Sequence, residues 1–291
     1  MPNSRLASPR ATIGVLERYD LYTRSSLGQH FLVDDNVVGR ILELASLEAG
    51  EPVLEVGPGI GTLTVALLDA GAAVVSVEYD TRLVQVLNDL VAEYPSLRVV
   101  YADAVSVDTA ELVTTAGPPR AFVSNLPYGV AATVILRFFE EVPSLATAVV
   151  MVQAEVADRI AARPGVKAYG AYTVKLGLRV RVTGRFPVPR SCFLPPPRVD
   201  SAVVRLDRLD RPADATLIAS ASRAADAAFS QRRKTVRNSL AAGLGVPVPE
   251  AAGMLEEAGI DGSLRAENLG VDEYLGLGRV LAGRDSSGAR D

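Results

Sequence analysis

Apolar positions follow two different rhythms along the 291-residue chain. Between Asp34 and Leu44 they fall at Val37, Val38, Ile41, Leu42 and Leu44, the spacing of one helical face. Asp34 or Asp35 supplies the cap of that helix, and Gly50-Glu51-Pro52 its stop. Short, almost uninterrupted apolar runs then alternate with helical ones. Strands are predicted at 53–57, 73–78, 98–102, 120–125 and 147–153, with helices at 62–71, 82–94 and 131–141. Strands that are apolar on both faces belong to a parallel sheet covered by helices on each side. Two later runs, 173–186 and 200–209, read as an antiparallel edge. Together these seven strands predict a mostly parallel, Rossmann-like α/β sheet. After Arg211-Pro212 the pattern is helical, so the chain divides into four segments: an extension over 1–24, an α/β domain over 25–208, a small all-α domain over 209–283, and a disordered tail over 284–291.

Composition narrows the chemistry. A 48% hydrophobic content supports a sizeable core, and the single cysteine, Cys192, has no partner for an intrachain disulfide, which suits a reducing cytoplasm. With only one histidine there is little material for a zinc site, and no metal is expected. No apolar run reaches the roughly 18 residues of a membrane span. Thirty basic residues against 34 acidic ones give a net charge of −4, which argues against indiscriminate nucleic-acid binding. A local exception lies in "SQRRKTVRNSL", where Arg232, Arg233, Lys234 and Arg237 are gathered; on a helix, Phe229, Val236 and Leu240 would face inward and leave the basic set exposed.

In an open α/β sheet the ligand sits at the carboxyl ends of the strands. There, "LEVGPGIG" links the first strand to a helix, with Gly57, Gly59 and Gly61 allowing a tight turn and close backbone approach. Glu78 ends the next strand and suits the two hydroxyls of a ribose. The G-x-G-x-G spacing, together with Asp103 as an acceptor for an adenine amino group, favours S-adenosylmethionine over a nicotinamide dinucleotide. "SNLPYGV" ends the fourth strand. Asn125 and the backbone carbonyl of Leu126 can each accept one N–H of an exocyclic amine, aiming its lone pair at a methyl donor. Pro127 stiffens the turn, and Tyr128 offers a face on which a base can stack. Positioning is then the main catalytic device. Phe193, on a loop stiffened by Pro195, Pro196 and Pro197, is the candidate second stacking ring or else a core anchor. Because a base inside a duplex is out of reach, the target must be flipped or unpaired.

The ordered set "SLGQHFL", "LEVGPGIGTLT", "VEYD", "NLPYGV", "MVQAEVADRI", "FLPPPRVDSAVVRL", "AFSQRRKTVRNSL" and "RAENL", spanning about 24–275, closely resembles the small-subunit (16S) rRNA adenine N6,N6-dimethyltransferase family. The resemblance implies a class I S-adenosylmethionine-dependent methyltransferase fold and dimethylation of two adjacent adenosines in the 3′-terminal hairpin of that rRNA, coupled to subunit biogenesis. It carries cofactor contacts over to His30, Leu32, Gly57, Glu78, Asp103 and Asn125, beside Gly59 of the turn read above, base stacking to Phe193, and rRNA contact to Arg232, Arg233, Lys234 and Arg237; by their charge, Arg163 and Lys167 could add to the same surface. The expected partner is the small ribosomal subunit, met by a monomer in the cytoplasm without membrane or metal. Three departures from the family pattern stand out: His30 and Gly129 occupy positions where the family usually has Asn, and residues 1–23 extend beyond a minimal member. His30 is expected to wall the cofactor pocket through the hydrogen bond that Asn would make. Competing readings are an adenine-N6 methyltransferase acting on large-subunit rRNA (the resistance type) or on DNA, and an assembly factor in which binding matters more than catalysis.

Overall fold

The computed structural model describes residues 3–22, 29–210 and 213–288. The predicted segments 23–24, Ser25–Gly28, Arg211-Pro212 and 289–291 lie outside that range. In chain order the elements are α1 (Pro9–Arg18), β1 (Phe31–Leu32), α2 (Asp35–Ala45), β2 (Pro52–Val56), α3 (Thr62–Asp69), β3 (Ala73–Glu78), α4 (Val84–Glu93), β4 (Leu97–Tyr101), β5 (Ala121–Asn125), α5 (Ala131–Glu141), β6 (Thr147–Gln153) and α6 (Ala154–Ile160). There follow α7 (Ala171–Gly177), β7 (Val180–Val188), β8 (Phe193–Leu194), β9 (Ser201–Arg208), α8 (Ala215–Ala228), α9 (Val236–Leu244), α10 (Val248–Glu257) and α11 (Val271–Gly288).

Seven strands form one sheet in the order β4-β3-β2-β5-β6-β9-β7. The pairs among β2, β3, β4, β5 and β6 are parallel, and β9 runs antiparallel to β6 from Thr147↔Asp207 to Gln153↔Ser201. The central strands are buried on both faces, as their continuous apolar runs require. α2 begins as its sequence predicts, with the Asp34 carboxylate accepting the N–H groups of Asn36 and Val37. β1 pairs with β8 in a separate two-stranded ribbon, Leu32 opposite Phe193.

Residues 1–157 and 182–208 form one compact unit, and 158–181 with 209–291 form a second. The change at 208/209 coincides with the predicted boundary, but the α/β domain is not continuous over 25–208. Residues 158–181 cluster with the helical unit because Tyr169, Val174 and Leu178 pack into its core with Ala221, Leu240, Leu255 and Leu277. The predicted long strand 173–186 is corrected for the same reason. Thr173, Val174 and Leu176 are buried on helix α7, and the strand starts only at Val180. Neither chain end is a loose tail where described. The extension folds as α1, with Ser8 capping it through Ala11 N–H and Leu6, Ala7, Val15, Leu16 and Tyr19 packed on the first unit's core. The expected disordered tail from 284 is instead helical through Gly288, with Arg284 paired to Glu257 and Asp285 to Arg223.

Candidate active site

The sheet order reverses direction at β2, and loops leaving the carboxyl ends of β2, β3, β4 and β5 line one cavity of about 520 Å³. That volume is within the roughly 300–1,000 Å³ of small-molecule sites, and the position is the topological switch point of the sheet.

β2 passes into α3 through a turn in which Gly57, Gly59 and Gly61 all have positive φ, at +70°, +60° and +90°. A Cβ at Gly57 would lie 3.2 Å from Pro127 Cγ, and one at Gly59 3.2 Å from Phe31 Cε1. The backbone therefore forms a bare cradle that a side chain would crowd. Thr62, the first residue of α3, lines the cavity, and its buried hydroxyl has no hydrogen-bond partner among the described residues.

Glu78 is buried at the end of β3. Its Oε1 accepts the Asp80 N–H at 2.7 Å and its Oε2 the Gly59 N–H at 3.2 Å, so the carboxylate braces the glycine turn. Burial pushes its pKa up, while those N–H groups hold the rise in check. An ionised carboxylate has about four acceptor positions, which leaves capacity for two hydroxyls. Asp103, beyond β4, is exposed and uses Oδ1 to accept the Val105 N–H at 2.8 Å. Arg137 on α5 fixes this loop by donating to the carbonyls of Ala104 (2.9 Å) and Val107 (2.5 Å).

Asn125 closes β5. Its Nδ2 donates to the His30 carbonyl at 3.4 Å, which leaves Oδ1 to act as an acceptor. The Leu126 N–H is taken by Met151 O at 3.1 Å, and the Tyr128 hydroxyl shares a 2.7 Å hydrogen bond with Ser201 Oγ. The His30 ring stacks on Tyr128 with centroids 5.7 Å apart, and its Nδ1 donates to Pro195 O at 2.8 Å. His30 thus lines the cavity as expected, but its ring nitrogen is engaged in bracing Tyr128 against the Pro195 loop. At Gly129 a Cβ would meet nothing within 4 Å, so the space an Asn would need is open.

His30, Leu32, Gly57, Gly59, Glu78, Asp103 and Asn125–Tyr128 all line this cavity. Phe193 does not. It is 2% exposed and sits in the hydrophobic core, because pairing of β8 with β1 draws its ring inward. Of the two readings the sequence left open, the ring's place here is that of the core anchor, and it presents no stacking face to the cavity. Arg232, Arg233 and Lys234 lie in the turn before α9 rather than on a helix, and only Arg237 is helical. All four are exposed, yet Arg232 donates to Lys167 O at 2.9 Å and so also pins its own unit. Val236 and Leu240 are fully buried and Phe229 packs against them, as predicted.

Sequence reasoning passed over five polar cavity residues: Gln29, Glu55, Thr62, Tyr79 and Asp80. Tyr79, 67% exposed beside Glu78, and Asp80 were visible in "VEYD". Glu55 could have been noticed as a carboxylate inside an apolar strand. Gln29 Nε2 donates to Asp80 Oδ2 at 2.6 Å. The lining holds four carboxylates, Glu55, Glu78, Asp80 and Asp103, and no lysine or arginine among its described residues. Such a field suits a cationic ligand and disfavours a pyrophosphate.

The profile of the family described as ribosomal RNA adenine dimethylase matches residues 21–282. Proteins named ribosomal RNA small subunit methyltransferase A are similar throughout. The one from Leifsonia xyli is 43% identical, covering 95% of this chain and 99% of its own, and the one from Nocardia farcinica is 42% identical, covering 94% and 95%. Among solved structures, a dimethyladenosine transferase from Plasmodium falciparum superposes with a TM-score of 0.73 at 25% identity, over 89% of this chain and 98% of its own. The 23S rRNA methyltransferase ErmE gives 0.63 at 30% identity, over 86% and 99%.

Proposed function

The chain belongs to the ribosomal RNA adenine dimethylase family, and from that premise we propose that it transfers methyl groups from S-adenosylmethionine to N6 of two adjacent adenosines in the 3′-terminal hairpin of small-subunit rRNA. The observation that carries this reading is the meeting of the glycine turn, Glu78, Asp103 and Asn125–Tyr128 around one acidic cavity. The residues fit the cofactor: a side-chain-free cradle at Gly57 and Gly59, a buried hydroxyl on Thr62 with no partner among the described residues, and a lining of carboxylates with no lysine or arginine among them, Asp80 alone being paired from behind by Arg82. Glu78 would hold the ribose, Asp103 the adenine amino group, and Tyr79 the adenine face, with His30, Leu32 and the Gly57–Gly59 turn walling the remainder. When bound, the sulfonium supplies an electrophilic methyl group.

The protein's part is to make a poor nucleophile competent. An adenine N6 lone pair is delocalised into the ring. Accepting one N–H at Asn125 Oδ1 and the other at the Leu126 carbonyl holds the nitrogen with its lone pair facing the donor, and rotates it out of conjugation. Tyr128, fixed by Ser201 on one side and the His30 ring on the other, provides the stacking face. The alkylated nitrogen becomes acidic and gives its proton to water, so no strong base is required.

Identities of 37–43% over most of the chain with the small-subunit proteins, against 30% with ErmE, support the small subunit as substrate. No helix among the described residues is long and apolar enough to cross a membrane. An rRNA substrate is reached in the cytoplasm, and action there as a monomer is part of the same proposal. Incubation with labelled S-adenosylmethionine and undermethylated small subunits, followed by nucleoside mapping, tests the reading. Dimethyladenosine at two neighbouring 3′-hairpin positions is expected. Label confined to large-subunit rRNA, or no transfer at all, overturns it.

A further inference from the structure

The family match begins at residue 21, yet the chain before it reaches the cavity's supports. Ser4 is 3% exposed, and its Oγ–H donates to the carbonyl of Thr62 at 2.7 Å. Its own N–H donates to Asp35 Oδ1 at 2.8 Å, and the Asn3 N–H donates to Asp35 Oδ2 at 3.0 Å. Asp35 opens α2, which follows directly on β1. Ser4 therefore ties together two elements that build neighbouring parts of the pocket wall. One is the first turn of α3, where Thr62 stands after the glycine turn. The other is the β1–α2 corner, which carries His30 and Leu32 and presses Phe31 against Gly59. The segment is itself held on α4, where Tyr19 donates to Asp89 at 2.5 Å and Arg5 pairs with Glu93.

We propose that Ser4 is a positioning residue for the cofactor, setting the Gly59–Thr62 turn against Phe31–Leu32 through its paired hydrogen bonds to Thr62 and Asp35. The proposal rests on the S-adenosylmethionine reading given above. Ser4 does not line the cavity; its effect reaches the ligand only through the spacing of the two walls. Loss of a buried hydrogen bond of this kind, with the Thr62 carbonyl left short of a partner, corresponds to about a 5- to 10-fold change in an equilibrium constant.

The test uses the full chain, with titration calorimetry for S-adenosylmethionine, steady-state kinetics on undermethylated small subunits, and thermal unfolding in parallel. Ser4→Ala is expected to raise the Kd and KM for S-adenosylmethionine by about 5- to 10-fold. Its kcat at saturating cofactor and its KM for the subunit should stay within about twofold of wild type, because the Asn125–Tyr128 groups are unaltered. Asp35→Ala, which releases the same clasp from the other side, should act in the same direction, and the double variant should fall short of the product of the two. Arg10→Ala, on the exposed face of α1, should bind the cofactor as wild type does. If Ser4→Ala fails to fold, Asp35→Ala carries the test alone. Wild-type affinity in the folded variants overturns the proposal, as does a parallel loss of kcat and cofactor affinity that tracks lowered thermal stability. Failure of the wild-type protein itself to bind S-adenosylmethionine would instead overturn the functional reading beneath it.

Discussion

Glu55 lies in the middle of a buried strand, where its Oε2 accepts hydroxyl hydrogen bonds from Thr64 and Ser76, both at 2.7 Å. Burial pushes its carboxyl up to about 7, the two hydroxyls oppose the rise, and Glu78 adds repulsion. The folded protein thus keeps this proton to higher pH than the unfolded chain, which releases it near 4.5. Its stabilising contribution is complete below the unfolded pKa and is lost as pH rises through about 7, a swing of about 3 kcal/mol. Glu55→Gln preserves an acceptor for both hydroxyls and cannot ionise. Urea midpoints at pH 5 and pH 8 should therefore show the variant gaining on wild type as pH rises; parallel pH profiles would refute this. Glu55 also marks where residue-level reading stopped. Glu78, Asp103 and Asn125 were legible because each ends a strand, and strand ends in this fold face the ligand. A carboxylate inside the strand offered no positional rule, and its partners come from α3 and β3. His30 was legible as a wall of the pocket only through the family resemblance of its segment. That its ring braces Tyr128 against Pro195 depends on a contact 165 residues away, which local pattern does not contain.

Elements were legible wherever a single rhythm governed them, and the helical unit shows what rhythm omits. Ala221, Ala224, Ala225, Ala227 and Ala228 on α8 are all buried, a small-residue face that lets neighbouring helices come close. At Gly278 on α11 a Cβ would lie 2.8 Å from Ala221 N and 2.9 Å from its Cα. Gly276, two residues earlier, has room, with its nearest neighbour, Ala258 O, at 3.7 Å. Gly278→Val should cost about 1–3 kcal/mol of unfolding free energy through overpacking. Gly276→Ala should be neutral or stabilising by up to about 1 kcal/mol, because it removes glycine's backbone freedom in the unfolded chain. Urea denaturation of both variants measures the contrast, and equal effects would mean that α11 does not seat on α8 at Gly278. From sequence the two glycines look alike; only the facing helix separates them. The same limit explains segment 173–186. Its alternation reads as one strand, but Thr173, Val174 and Leu176 are buried on a helix within the second unit. The choice between the two readings of Phe193 was beyond local pattern for a similar reason, since β8 is a two-residue strand whose partner β1 lies far back in the sequence.

At the scale of the whole molecule, a chain with net charge −4 must engage a polyanion through a local surface rather than its overall field. The exposed basic run at 232–237 is the candidate, and its members are not equivalent. Arg232 spends hydrogen bonds on Lys167 O and, at 3.4 Å, on Tyr169 O, so its removal should loosen the helical unit as well as weaken RNA contact. Arg233, Lys234 and Arg237 have no such bonds among the described contacts and are better placed to meet phosphates. Each phosphate contact to a single strand contributes about 0.7 to the slope of log K against log salt, and each to a duplex about 0.9. The triple variant Arg233→Ala, Lys234→Ala, Arg237→Ala should therefore bind undermethylated small subunits more weakly, with a salt slope shallower by about 2–3. Its affinity for S-adenosylmethionine should match wild type, because the cavity belongs to the other unit and is lined by none of these residues. Binding isotherms from 50 to 200 mM salt, alongside cofactor titration, measure both. An unchanged slope would locate the electrostatic footprint elsewhere. A fall in both affinities would mean that the variant had lost its fold, and an intact thermal transition would exclude that outcome.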